Sequence, residues 1–406
     1  MSEGNHKWRV VALLAVVALL NYLDRQMLST LRPAMQGDIA ELRSAESFGR
    51  LMAAFLWVYG WMSPVAGWIA DRVSRKRLIV GSLLVWSGVV FGMGFAGSFR
   101  ELWWLRAIMG VSEAMYLPAA LSLIADHHVS RSRSLAIGLH MTGLYLGQAL
   151  GGFGGTIAAS WSWQVCFRVF GMIGICYAGV LAVMLQDKRR AEDTGVERVK
   201  QSGRMSGLLK NGAFWIILIY FCLLSLPGWA ARNWLPTLFA QQLGLDMSAA
   251  GPLATVTIAS ASFVGVLAGG LLADRWVHRK VKGRVYTSVI GLGLMAPSLL
   301  LIGFGHSIFA GVAAAIGVGL GLGIFDANNM PILCQFVGAG SRATAYGLMN
   351  MAGVFAGALV TELLGKSTDA GHLGTDFSIM AGVVLLAMGL QIFFLKPRVN
   401  NYSDER

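Results

Sequence analysis

Asp24 and Arg25 stand side by side in a stretch where Val10 to Leu20 and Met27 to Leu31 carry no charge. An ionisable pair is expensive inside a membrane helix, and by default it marks the path of a substrate or a proton. Two further charges belong with it. Arg106 and Glu113 are seven residues apart, nearly two helical turns, and so share a helix face. At the rise of a helix, Asp24 and Glu113 each lie about 15 Å from the outer end of their spans. Asp24, Arg25 and Glu113 can therefore meet in one layer, with Arg106 above it. Arg25 is suited to hold an anion, because its planar fork grips a carboxylate with two bonds and never loses its charge. Asp24 and Glu113 are suited to carry protons, since burial and a neighbouring guanidinium act on a carboxylate in opposite senses and a modest rearrangement tips the balance. Glu113 would neutralise Arg25 in the empty site and release it on protonation. The competing reading is a static ion-pair cluster that locks two helices together. Arg106, nearer the outer end, fits such a structural pairing with Asp24 equally well.

These charges need a frame. Of 406 residues, 55% are hydrophobic and 13% charged, which excludes a soluble domain and predicts an all-α polytopic membrane protein. A spanning helix needs about 20 mostly apolar residues. Twelve candidates begin near Trp8, Phe48, Leu78, Leu102, Ser134, Phe167, Gly212, Met247, Val285, Ser307, Ala343 and Phe377. The first is too long and wrongly flanked for a cleaved signal peptide.

The net charge of +12 does not point to nucleic acid. Its richest runs, Arg72 to Arg77, Lys188 to Lys210 and Arg275 to Arg284, all fall on one side of the predicted spans. That is the positive-inside bias, and it predicts both termini in the cytoplasm. Contact of these runs with anionic lipid headgroups is a secondary role. Cys166, Cys176, Cys222 and Cys334 have no metal-ligand spacing and read as small apolar fillers.

The polar run from Lys188 to Lys210 splits the spans six and six. The predicted order is an N-terminal bundle (1–187), a cytoplasmic linker (188–211), a C-terminal bundle (212–395) and a cytoplasmic tail (396–406). An internal repeat agrees: Gly67-Trp68-Ile69-Ala70-Asp71-Arg72 after span two returns as Gly270-Leu271-Leu272-Ala273-Asp274-Arg275 after span eight. Parallel six-helix repeats are a transporter design. The second half has no equivalent charged pair; it offers Asn233, Asn328, Asn329 and Asn350, of which Asn350 is the best placed to read a hydroxyl. Tyr22 and Tyr59 suit a polyol contact or ordinary bundle packing. Gln148 is a polar side chain among the small residues of Gly147 to Gly152.

Gly67-x-x-x-Asp71-Arg72-x-x-Arg75-Lys76-Arg77 resembles the signature loop of the major facilitator superfamily, and Arg106-x-x-x-Gly110 resembles its second common motif. Ser74 departs from the glycine often found there. Within that superfamily, Asn21-Tyr22-x-Asp24-Arg25 is similar to the first-helix motif of the anion:cation symporter branch, which carries sugar-acid permeases and sialin-related carriers. Tyr59 and Asn233-Trp234-Leu235-Pro236-Thr237-Leu238 fit the same branch. The resemblance implies twelve helices in two bundles and alternating access. It further implies proton-coupled uptake of a small organic anion such as a hexonate or hexuronate. By the same resemblance Arg25 binds substrate, Asp24 and Glu113 couple protons, and Gln148 aligns with a substrate-contacting glutamine. Asp71, Arg72, Asp274 and Arg275 become conformational latches. The spinster-type lipid carriers share a first-helix Asp-Arg and a fourth-helix Glu, and a spinster-like carrier of lysolipid is the alternative.

No Walker loop, catalytic triad or metal-ligand cluster is present in the sequence, so neither an enzyme nor a cofactor is expected. The expected protein is a monomer in the bacterial inner membrane, with a small anion, protons and the lipid bilayer as its partners. Sodium can replace the proton, because carboxylates serve either ion.

Overall fold

The computed structural model describes residues 3–70, 72–128, 130–186, 207–277, 279–338 and 341–395. Among them there are helices and no strand. The helices are α1 (Glu3–Met35), α2 (Ala45–Ala70), α3 (Arg75–Met93), α4 (Phe99–Ala114), α5 (Tyr116–His127), α6 (Ser130–Gly151) and α7 (Gly154–Ser160). They continue as α8 (Trp163–Met184), α9 (Gly212–Leu243), α10 (Met247–Val277), α11 (Gly283–Phe304), α12 (Ile308–Phe336), α13 (Arg342–Asp369) and α14 (Leu373–Phe394). Ten segments are long and apolar enough to cross a membrane, α4 and α5 counting as one. The 26-residue α2 and the 22-residue α6 are long enough but fall short in apolarity, diluted by Trp, Gly, Ser and other polar residues. The charged run from Lys188 lies largely outside the described residues.

Several helices begin a few residues before the apolar run that announces them, because a polar cap precedes the buried stretch. Ser98 Oγ accepts from the Glu101 amide to start α4, while Glu101 reaches back to the Gly97 amide at 2.8 Å. Ser74, Ser162 and Ser307 cap α3, α8 and α12 in the same way. The α4–α5 break at Met115 has a chemical cause: Pro118 has no amide hydrogen to give the Ala114 carbonyl, so the helix is interrupted one residue after that carbonyl.

The chain forms two compact units. The first holds Met1–Glu192, Arg232–Val256 and Thr361–Ala370; the second holds Asp193–Ala231, Thr257–Val360 and Gly371–Arg406. In the first, α1 against α6 is the most extensive helix pair. Gly143, Gly147 and Gly151 form a small-residue stripe on α6 that lies on the backbone of α1. A Cβ at Gly147 would stand 2.2 Å from the Leu19 carbonyl oxygen, and at Gly143 2.0 Å from that of Ala15. Small residues at four-residue spacing are how membrane helices approach this closely. Gly147→Val is expected to destabilise the protein by about 3 kcal/mol or more, since the obstacle is backbone and cannot rotate away. Gly138→Val on the same helix, where a Cβ meets nothing within 4 Å, is the control. Equal melting temperatures for the two variants in detergent would refute this docking.

The Asp369 end of this unit is held by charge. The Asp369 carboxylate accepts from Ser44 Oγ at 2.7 Å, the Ala45 amide at 2.7 Å and the Glu46 amide at 3.0 Å, with Arg32 at 3.9 Å. It thus occupies the N-terminus of α2, where free amides and the helix dipole favour an anion. Glu46 pairs with Arg50, Arg50 lies 3.6 Å from Glu362, and Lys366 lies 3.6 Å from Glu46. Asp369→Asn keeps the shape but loses an acceptor, so hydrogen exchange in the first turn of α2 should rise about tenfold, the equivalent of roughly 1.4 kcal/mol. Unchanged protection at Ala45 and Glu46 would contradict the capping role.

In the second unit α11 packs between α12 and α14. Its interior buries Asn328 and Asn329, and Tyr220 meets Phe325 edge-on at 6.4 Å between ring centroids.

Candidate functional site

The docking of α6 on α1 places the segment Asn21 to Arg25 opposite α2 and α4. A second close approach completes the frame: a Cβ at Gly110 would stand 2.7 Å from the Phe55 carbonyl oxygen, so α4 lies directly on α2. Within this frame Arg25 turns to Glu113, not to its neighbour Asp24. Its Nε donates to Glu113 Oε2 at 2.5 Å. The Glu113 side chain is fully buried and that of Arg25 is 14% exposed. The bond uses Nε and leaves outside it the two terminal nitrogens, the pair that grips a carboxylate.

Three rings surround the guanidinium. Its central carbon lies 4.9 Å from the centroid of Tyr22, 4.7 Å from Phe55 and 4.9 Å from Tyr59. Aromatic faces attract a cation and hold its plane, more so where water is excluded. Phe55 also carries Arg106 on it, again at 4.7 Å. Arg106 is buried and donates to Met109 Sδ at 3.3 Å. The direct pairing with Asp24, one of the two readings open for Arg106, is not formed; the Phe55 ring and the Met109 sulfur hold that guanidinium instead.

Asp24 is buried with Oδ1 lacking a hydrogen-bond partner, and Oε1 of Glu113 is in the same position. Glu113, Arg106 and Trp86 are the charged and polar groups that act on Asp24. The amide Nδ2 of Asn21 is buried beside Glu113 without a partner of its own. A buried polar atom without a partner costs about 1–3 kcal/mol. Two acceptors, Asp24 Oδ1 and Glu113 Oε1, and one donor, Asn21 Nδ2, stand in this layer in that condition.

Tyr22, Asp24, Arg25, Tyr59, Arg106 and Glu113, named from their residue types, their positions and the family resemblance, come together in the structure. Gln148 is buried on α6 beside Gly147 and makes none of the bonds or ring contacts of the cluster. Asn350 belongs to the second unit, half-buried on α13. Asp71 lies outside the described residues. Arg72 is exposed, 3.9 Å above the Trp68 ring, and donates to the Trp68 carbonyl at 3.1 Å. Asp274 and Arg275 are exposed, with Asp274 3.8 Å from Arg284 on the next helix. Phe55, Trp86 and Asn21 were not foreseen as parts of the site. Phe55 had a signal, since it precedes Tyr59 by one helical turn and so shares its face; Trp86 had none. Among the described residues no group of side chains is arranged to hold a metal ion.

A family model described as Major Facilitator Superfamily matches residues 14–361. The chain belongs to the major facilitator superfamily. This facilitator is a multi-pass membrane protein of a transporter family, not an enzyme. It is 23% identical over 427 residues to the probable galactarate/D-glucarate transporter GarP of Escherichia coli strain K12, covering 96% of this chain and 95% of that one. It is 25% identical to the hexuronate transporter of Bacillus subtilis strain 168, covering 95% and 92%. Its fold matches the crystal structure of a bacterial homolog of the human lysosomal transporter Spinster, inward-facing and unoccupied, with a TM-score of 0.79 at 19% identity over 95% of this chain and 96% of that one.

Proposed function

We propose that this facilitator carries a small sugar-acid-type anion across the bacterial inner membrane together with a proton, by alternating access. The observation that supports it is the Arg25–Glu113 bond inside an aromatic enclosure, a permanent cation held by a removable partner. Relatives named for galactarate, D-glucarate and hexuronate, all polyhydroxy carboxylates, favour the same substrate class. In this reading Glu113 neutralises Arg25 while the site is empty. Protonation of Glu113 withdraws the partner, and the freed fork takes the substrate carboxylate with two charge-assisted bonds. Asp24, next to Arg25 but turned away from it, is the second proton site. Tyr22, Tyr59, Gln148 and Asn350 supply hydrogen bonds to the hydroxyls.

The proposal includes twelve spanning helices in two bundles, residues 1–187 and 212–395, with both termini cytoplasmic and a monomeric carrier. In it Asp71, Arg72, Asp274 and Arg275 serve as latches on the cytoplasmic side.

Uptake of labelled galactarate, glucarate or glucuronate into proteoliposomes under an imposed pH gradient tests the reading. Accumulation should follow the gradient and collapse with a protonophore. Accumulation that ignores pH but follows a sodium gradient would replace the coupling ion. The first-helix Asp24-Arg25 pair and the fourth-span Glu113, which resemble those of the spinster-type carriers, give a second reading, carriage of a lysolipid. Thermal stabilisation by lysolipid and by none of the sugar acids would establish it in place of the first.

A further inference from the structure

Between the end of α10 and the first two turns of α11 the second unit forms a recess of about 460 Å³. Trp276, Arg279, Lys280, Tyr286, Val289 and Ile290 line it. Gly283 allows the turn to fold this tightly, because a Cβ there would stand 2.6 Å from the Trp276 backbone. The lining is graded along one direction. Arg279 and Lys280 are exposed at the turn, and neither forms an ion pair among the described residues. The carboxylate nearest to them in sequence, Asp274, lies 3.8 Å from Arg284. Next come the amphipathic rings of Trp276 and Tyr286. Val289 and Ile290 follow one turn further along α11, on the face of Tyr286. Tyr286 is 38% and Ile290 40% exposed, so this stripe opens away from the unit.

We propose that this recess binds one anionic diacyl phospholipid of the cytoplasmic leaflet. The phosphate meets Arg279 and Lys280, the rings flank the glycerol esters at the depth where Trp and Tyr settle, and an acyl chain runs along Val289 and Ile290. Charge complementarity selects the lipid: two unpaired cations at one end and an apolar track at the other fit a molecule with a fixed negative head and a long tail. A soluble phosphate would leave the track empty. The proposal rests on the membrane placement and the positive-inside orientation, not on the transported substrate.

Native mass spectrometry of the full-length protein, delipidated and then titrated with phosphatidylglycerol or phosphatidylcholine, tests it. The wild type is expected to retain phosphatidylglycerol preferentially, and Arg279→Gln with Lys280→Gln to lose roughly twentyfold in that retention. Ile290→Asn, which keeps both cations, should also weaken it. The control pair Arg77→Gln with Lys210→Gln removes equal charge from other exposed positions and should leave it unchanged. Equal loss in the control pair, no loss in the recess variants, or displacement of the lipid by glycerol phosphate would each overturn the proposal. A wild-type protein that accumulates a sugar acid yet shows no preference for phosphatidylglycerol refutes this site alone. A protein that selects the lipid but ignores every sugar acid refutes only the transport reading.

Discussion

Replacing Arg25 with lysine is expected to raise the half-saturation constant for a sugar-acid substrate by about thirtyfold or more, with the protein still folded. The reasoning is geometric. An ammonium keeps the charge but offers a point in place of a planar fork, so the paired bonds to a carboxylate become one. A hydrogen bond to a charged group is worth about 1.5–3 kcal/mol, and 1.4 kcal/mol is tenfold in affinity. The stacking also suffers, because the three rings around the guanidinium, at 4.7 to 4.9 Å, hold a flat group. Glu113 would still find a cation nearby, so the buried carboxylate is not stranded and the bundle should persist. Substrate-induced thermal stabilisation and counterflow in proteoliposomes measure the effect. Wild-type affinity in the lysine variant would remove Arg25 from the anion site and leave the static-lock reading in its place.

The second large effect is expected from Glu113→Gln. Glutamine has the shape of the protonated acid and a carbonyl oxygen that still accepts from Arg25 Nε, but it carries no charge to neutralise the guanidinium and no proton to release. Binding and substrate exchange should stay within a few-fold of wild type, while uphill accumulation disappears. The magnitude follows from the gradient itself: one pH unit supplies about 1.4 kcal/mol per proton, so one coupled proton concentrates substrate about tenfold. The variant should equilibrate at the outside concentration whatever the gradient. Asp24→Asn is the necessary partner. Accumulation lost in that variant and retained in Glu113→Gln would exchange the roles of the two carboxylates. Loss of exchange in both would mean that the cluster holds the helices rather than couples protons.

Much of the frame is legible from local rules. Apolar runs of spanning length, the serines that cap α3, α4, α8 and α12, and Pro118 at the break of the fourth span each act through their immediate neighbours, so sequence exposes them. The candidate site was legible only as a list of costly residues: charges in apolar surroundings announce themselves, and Arg106 and Glu113 share a face by arithmetic. Phe55 does not announce itself, because a phenylalanine in a membrane helix is ordinary until two guanidinium groups are found on its ring. The same holds for the Met109 sulfur, which takes the Arg106 contact that spacing had offered to Asp24.

The sequence by itself determined that a fixed cation and two carboxylates stand within otherwise apolar spans. It did so because desolvating a charge is so expensive that no such residue occurs there without a partner or a purpose. Only the tertiary structure decided who pairs with whom. Asp24 and Arg25 are adjacent, about 100° apart around their helix, so both cannot face the same target. Which of them meets Glu113 depends on the rotation of α1 about its own axis. That rotation is fixed by Gly143, Gly147 and Gly151 of α6, which admit the backbone of α1 on one side only. The choice of Glu113 for Arg25 is thus made by contacts of close-packed backbone more than a hundred residues away in sequence, where no local pattern in the first helix can record it.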